Sequence, residues 1–291
     1  MKQRVTIRTL AEHKRAGRRF AMVTAYDAGQ AALLERAGIE VILVGDSAGN
    51  VCHGQETTLP VTLDEMVMHT RWVVRGRERA LVVADLPFLS YQTGVRDALL
   101  AAGRLMKEGG ADAVKLEGGV AVAEQVRACV SAGIPVMGHV GLTPQSVKAF
   151  GGYRVQGRSR EQARAVLADA LALERAGAFA VVLECVPAAL AALITARLGV
   201  PTIGIGAGAG TDGQVLVLHD LLGLSPEPAP RFVKRYAELG ALAVEALQRY
   251  RTEVERGAFP TAEHAYATDP ELTAQLQELG ASLEHGEPAA P

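Results

Sequence analysis

Val41-Ile42-Leu43-Val44-Gly45-Asp46-Ser47 ends an aliphatic run with an acid and a hydroxyl. The same pattern returns in Leu81-Val82-Val83-Ala84-Asp85, in Ala113-Val114-Lys115-Leu116-Glu117 and in Ala180-Val181-Val182-Leu183-Glu184. Short apolar runs rich in Val and Ile read as parallel strands buried on both faces. A carboxylate at the C-terminal end of such a strand stands where α/β barrels and open sheets put their active sites. One such coincidence would mean little. Four of them, one with a lysine, point to a metal-assisted enzyme acting on a small anionic substrate.

Further strand-like runs lie at 20–25, 135–139, 201–206 and 215–219, and Ala/Leu-rich segments with helical spacing, such as 95–108, 161–176 and 188–198, alternate with the strands. Several of those segments end in Ala-Gly, and glycine stops a helix by taking the left-handed conformation at its end. Eight strands with intervening helices predict an α/β fold, a (β/α)8 TIM barrel; a doubly wound open sheet is the alternative, since strand number alone does not show closure. The segment 6–16 predicts an extra N-terminal helix covering the barrel floor. A single catalytic barrel is expected over residues 1–279. The small, polar stretch 280–291 is expected to be a disordered tail.

The chain has 291 residues, 49% hydrophobic and 21% charged, with a formal net charge of −2. That balance gives no electrostatic case for nucleic acid or an anionic membrane as partner. No apolar stretch is long enough to span a bilayer, and the polar N-terminus lacks a signal core. The 3 cysteines, Cys52, Cys129 and Cys185, form no C-x-x-C pair, so a reducing cytoplasm is expected.

Strand side chains alternate between two faces, so Lys115 and Glu117 point into the barrel mouth while Val114 and Leu116 pack under the helices. The same alternation puts Cys185 with Leu183 and Val181, as a core thiol beside Glu184. Asp46 and Asp85 offer the hard oxygens that suit Mg²⁺, with Glu117 a third ligand, direct or through water. Lys115 either neutralises a substrate carboxylate or pairs with a neighbouring acid. Ser47 either donates to an anion or caps the next segment. His139 is either a site residue or a hydrogen-bonded core histidine. The stretch Gly204-Ile205-Gly206-Ala207-Gly208-Ala209-Gly210 lacks the ending of a phosphate-binding loop and reads as a turn or a close approach of backbone to a ligand.

At these segments, and at Val23-Thr24-Ala25-Tyr26-Asp27, Thr58-Leu59-Pro60-Val61-Thr62, Gly138-His139-Val140-Gly141-Leu142-Thr143-Pro144-Gln145 and Phe259-Pro260-Thr261-Ala262-Glu263-His264, the chain resembles the ketopantoate hydroxymethyltransferase family. The resemblance runs from about Thr6 to Ala267. It implies a barrel of the phosphoenolpyruvate/pyruvate type. It also implies transfer of a hydroxymethyl group from 5,10-methylenetetrahydrofolate to 3-methyl-2-oxobutanoate through a Mg-stabilised enolate, giving 2-dehydropantoate in pantothenate biosynthesis. Residue by residue, Asp46 and Asp85 would hold one Mg²⁺ per subunit with Glu117 in its sphere. Asp46, Ser47, Asp85 and Lys115 would bind the oxo acid, Glu184 would accept the proton, and His139 would lie near the site. A cytoplasmic homodecamer is implied as well. The family usually has bulkier apolar residues where this chain has Ala48 and Asn50. Two rival readings remain at this point: a Mg²⁺-dependent carbon–carbon lyase sharing the barrel and metal, which would need no folate, and a non-enzymatic binder of 2-oxo acids, which would leave the substrate's C3 proton in place.

Overall fold

The computed structural model describes residues 3–225 and 229–284. Eight parallel strands follow in order: Phe20–Thr24 (β1), Val41–Val44 (β2), Leu81–Asp85 (β3), Ala113–Glu117 (β4), Val136–Gly141 (β5), Ala180–Glu184 (β6), Thr202–Ile205 (β7) and Gly213–Leu216 (β8). Each pairs with its neighbours in sequence, and β1 also pairs with β8, which closes the barrel and excludes the open sheet. The expected alternation holds. Val114, Leu116, Val181 and Leu183 belong to the layer between strands and helices, while Ala113, Met137, Val182 and Val215 fill the barrel interior.

Register sets the height of the reactive groups. Asp85 lies opposite Lys115, Glu117 opposite His139 and Gly141 opposite Glu184, so their side chains rise from one rim. The opposite end is sealed. The N-terminal helix Ile7–Arg15 starts at Thr6, whose hydroxyl accepts from the Thr9 amide at 3.3 Å. Its Leu10 is fully buried and joins Phe20, Val41 and Leu81 in the interior cluster. His13 meets Glu40 at 2.8 Å and Lys14 meets Asp212 at 2.9 Å, fastening the helix beneath the strands.

Two elements differ from expectation. The helix from Val95 passes at Arg104 into a π-helical turn, Leu105–Gly109. The last strand begins at Gly213, not at 215, because Gly213 pairs with Phe20, and the apolar run that suggested a strand to 219 bends into the short helix Leu218–Leu221. There the Leu218 amide donates to the Thr24 hydroxyl at 3.0 Å, ending β8. No helix separates β7 from β8; residues 206–212 alone connect them.

The chain divides into two compact units, one ending at Glu238 and one beginning at Leu239. The second is helical: Leu239–Glu255, a single 3-10 turn at Ala262–His264, and Pro270–Glu284. Within it the Phe259 ring stands edge-on to Tyr250, with centroids 5.6 Å apart, and tilts against His264 at 5.0 Å. The barrel expected to reach residue 279 thus has its last strand end at Leu216. The disordered tail expected from 280 overlaps a helix through Glu284, where Leu-rich helical spacing continues past Gly280. Residues 285–291 lie outside the described residues.

Candidate active site

A cavity of about 690 Å³ opens at the rim, and Asp46, Ser47, Asp85, Lys115, Glu117, His139 and Glu184 all line it. Asp46, Asp85, Lys115, Glu117 and His139 are each at most 5% exposed. Their contacts form one chain. Lys115 Nζ lies 2.8 Å from Asp85 Oδ1 and 3.4 Å from His139 Nδ1. His139 Nδ1 lies 3.4 Å from Glu117 Oε1, and its Nε2 lies 3.2 Å from Glu184 Oε2. The Asp46 amide donates to Asp85 Oδ2 at 3.1 Å. Of the alternatives left open for Lys115, the ion pair with an acid is present, and the ammonium also lines the cavity.

Charge dominates this pocket. Burial, then Asp85 and Glu117, push the Asp46 carboxyl up to about 8. Burial also raises Asp85, in spite of Lys115. Burial would lower the Lys115 ammonium, yet Asp85, Glu117 and Asp46 hold it above the ordinary lysine value. Burial and Lys115 likewise oppose charge on His139, but its contacts with Glu117 and Glu184 win and hold it at about 9.

Mg²⁺ fits this donor set. Four carboxylates face one ammonium and one imidazole, so the fully ionised cluster carries an excess of two negative charges, as many as the ion carries. Asp85 Oδ1 is buried and meets only the Lys115 ammonium, at 2.8 Å, among the described residues. Among the described residues no group of three or more His, Cys, Asp and Glu is placed to hold a metal by itself.

Ser47 opens the four-residue helix Ala48–Val51 without a side-chain cap bond; its hydroxyl instead lies 2.8 Å from the Tyr26 hydroxyl. The capping alternative is thereby excluded. Asn50, within that helix, lines the cavity and donates to the Gln55 carbonyl at 3.0 Å, tying the helix to the loop that follows it. Cys185 departs from the core position expected of it. A φ of 47° breaks the strand alternation, and the half-buried thiol lines the cavity. Burial, then Glu184, push that thiol up to about 12, disfavouring the thiolate.

Sequence reasoning missed the residue that braces the acids. The Gln145 side-chain amide donates to Asp46 Oδ2 and to the Leu86 carbonyl, each at 2.9 Å, and its backbone amide donates to Glu117 Oε2 at 3.0 Å. Tyr91 donates to Gln145 Oε1 at 2.8 Å and receives the Glu117 amide at 3.1 Å. Its only signal was a polar residue directly after Thr143-Pro144, at the end of a strand.

The model of one family, ketopantoate hydroxymethyltransferase, matches residues 4–262. The chain belongs to the ketopantoate hydroxymethyltransferase family. Two relatives, both called 3-methyl-2-oxobutanoate hydroxymethyltransferase, bear out the family on their own. The protein from Carboxydothermus hydrogenoformans is 56% identical over 94% of this chain and 99% of its own length. That from Moorella thermoacetica is 61% identical over 91% and 98%. Solved structures share the fold at far lower identity. Phosphoenolpyruvate phosphomutase from Streptomyces platensis subsp. rosaceus superposes with a TM-score of 0.56 at 17% identity, covering 94% of this chain and 97% of its own. Phosphonopyruvate hydrolase with oxalate and Mg²⁺ gives 0.58 at 13%, covering 96% and 98%. This chain thus shares the barrel fold of those structures.

Proposed function

We propose that Glu184 removes the C3 proton of 3-methyl-2-oxobutanoate, and that the resulting carbanion takes a one-carbon unit from 5,10-methylenetetrahydrofolate to give 2-dehydropantoate. The activity is that of the family, hydroxymethyl transfer in pantothenate biosynthesis. One observation carries the assignment of roles: three buried acids gather on β2–β4 around Lys115, while Glu184 faces them from β6 across the same mouth.

Mg²⁺ would be held by Asp46 and Asp85, with Glu117, whose oxygens meet His139 and the Gln145 amide, in its coordination sphere directly or through water. Bound there, it supplies Lewis acidity toward the substrate's carboxylate and keto oxygens, which makes the C3 hydrogen acidic. Lys115 and Ser47 bind the anionic end of the oxo acid. His139, between Glu117 and Glu184, orients the Glu184 carboxylate toward C3. Glu184 accepts the proton, C3 bonds to the folate methylene carbon, that carbon's bonds to folate nitrogen break, and water supplies the hydroxyl. Positioned proton transfer of this kind is worth about 10²–10⁴ in rate.

The same reading includes a homodecamer in the cytoplasm. Sedimentation of the purified protein tests the assembly. Among the described residues no helix is long and apolar enough to cross a membrane.

Proton NMR of 3-methyl-2-oxobutanoate in D₂O, with enzyme and Mg²⁺ but without folate, tests the assignment. The C3 proton signal is expected to disappear only when both are present. A bound substrate that keeps its C3 proton, even after a tetrahydrofolate analogue is added, would refute it.

A further inference from the structure

The glycine-rich stretch after β7 takes no part in the chemistry above, yet it forms one wall of a second cavity of about 800 Å³. We propose that this cavity seats the folate co-substrate, an inference that rests on the function proposed above.

Position comes first. The acids stand on β2–β4 and Glu184 on β6, so the carbon that loses its proton faces β6. The second cavity opens at Cys185, the residue after Glu184, and it shares Val155, Cys185, Arg231 and Phe232 with the first. A ligand lying there reaches C3 from the side of the base, not across the carboxylates.

Shape comes next. Because residues 206–212 join β7 to β8 without a helix, a stretch of bare backbone lines the cavity. At Gly206, where φ is +61°, a Cβ would stand 2.9 Å from the Phe232 ring; at Gly208 it would stand 2.5 Å from Ala188 Cβ. The chain at 206–208 thus packs closer to Phe232 and Ala188 than a side chain would allow, so the slot is walled there by main chain with the Phe232 ring beside it. A planar pteridine fits such a slot, and the volume lies in the usual range for a ligand of that size, about 300–1,000 Å³.

Charge completes the match. Arg231 at the shared wall and Arg19 before β1 both line the cavity and are exposed. Neither has a hydrogen bond or an ion pair among the described residues. Folate ends in glutamate carboxylates, which two free guanidinium groups would meet. The first cavity holds Lys115, Arg154 and Arg231 as well, but its acids outnumber them, whereas the second is lined by Arg19 and Arg231 with no acid.

The test uses Ala188→Trp, which fills the slot, and Arg19→Glu, which reverses the charge of the tail site. Both residues are exposed and lie outside the catalytic cluster. In each variant the folate-free, Mg²⁺-dependent exchange at C3 should stay as in wild type, while KM for 5,10-methylenetetrahydrofolate rises about tenfold or more. Hydrogen–deuterium exchange of wild type with 5-formyl-tetrahydrofolate should show protection over 206–214. Unchanged folate KM with intact C3 exchange would overturn the proposal, and so would protection confined to other segments. Absent C3 exchange in the wild type would instead strike the proposed function.

Discussion

Gln145 and Asp46 meet at 2.9 Å, amide to carboxylate, from the 3-10 turn Pro144–Ser146 after β5 and the residues just after β2, two strands that are not neighbours in the barrel. The bond fixes one oxygen of an acid whose proton affinity is already raised by burial and by the acids around it. The same glutamine holds Glu117 through its backbone, so one residue sets the spacing of two carboxylates.

Replacing Gln145 by leucine should therefore weaken Mg²⁺ binding. A hydrogen bond to a charged group contributes about 1.5–3 kcal/mol, so a loss of about tenfold or more is expected. Calorimetric titration of Mg²⁺ in the presence of the oxo acid measures it. An unchanged affinity would leave Gln145 a purely structural brace.

Glu184→Gln keeps the shape of the side chain and removes the base. Exchange at C3 should fall by about 10²–10⁴, with Mg²⁺-dependent binding of the oxo acid within a few-fold of wild type. Wild-type exchange in this variant would move the base to another residue.

The metal-free protein should lose stability as pH rises from 6 to 9. Burial, Asp85 and Glu117 raise Asp46 to about 8, and Glu117 and Glu184 hold His139 at about 9 against burial. The folded chain keeps protons that the unfolded chain has released, from about pH 4 upward for the aspartate and about pH 6.5 upward for the histidine. Stability from this source is complete below those unfolded values and is lost as pH climbs through the folded ones. Thermal unfolding in chelator should show the midpoint fall over that window, and saturating Mg²⁺ should flatten it, since the ion takes the place of the Asp46 proton. A flat profile in chelator would mean that the acids are better solvated than their burial implies.

Leu10→Ala opens the sealed end of the barrel. Leu10 is fully buried among interior residues, so a loss of about 2–5 kcal/mol is expected in urea unfolding. A change below 0.5 kcal/mol, in the range of surface substitutions, would mean that the helix does not plug the floor.

Where the sequence was informative, the signal was local. Alternation along Val114–Glu117 was enough to send Lys115 and Glu117 to one face, and it survives because β4 is paired on both sides. Acids at strand ends were legible because aliphatic runs make polar endings conspicuous. Closure was not, since it depends on Phe20 meeting Gly213 across almost the whole chain. The role of Gln145 was hidden for the same reason: its partners lie 28 to 99 residues away, at Glu117, Leu86 and Asp46. Cys185 was misplaced because periodicity assumes extended backbone, and a single left-handed residue breaks it. His139 gave no hint of bridging Glu117 and Glu184 until β5 was set between β4 and β6.

The plug formed by Leu10 and its neighbours makes the barrel a vessel with one opening. The oxo acid arrives through it and the hydroxymethylated product departs through it. The oxo acid, held among acids at the rim of the interior, lies beneath anything that reaches C3 from outside, so traffic is last in, first out: oxo acid before folate, spent folate before hydroxymethylated product. Product-inhibition kinetics would display that order, with 2-dehydropantoate competing against the oxo acid alone.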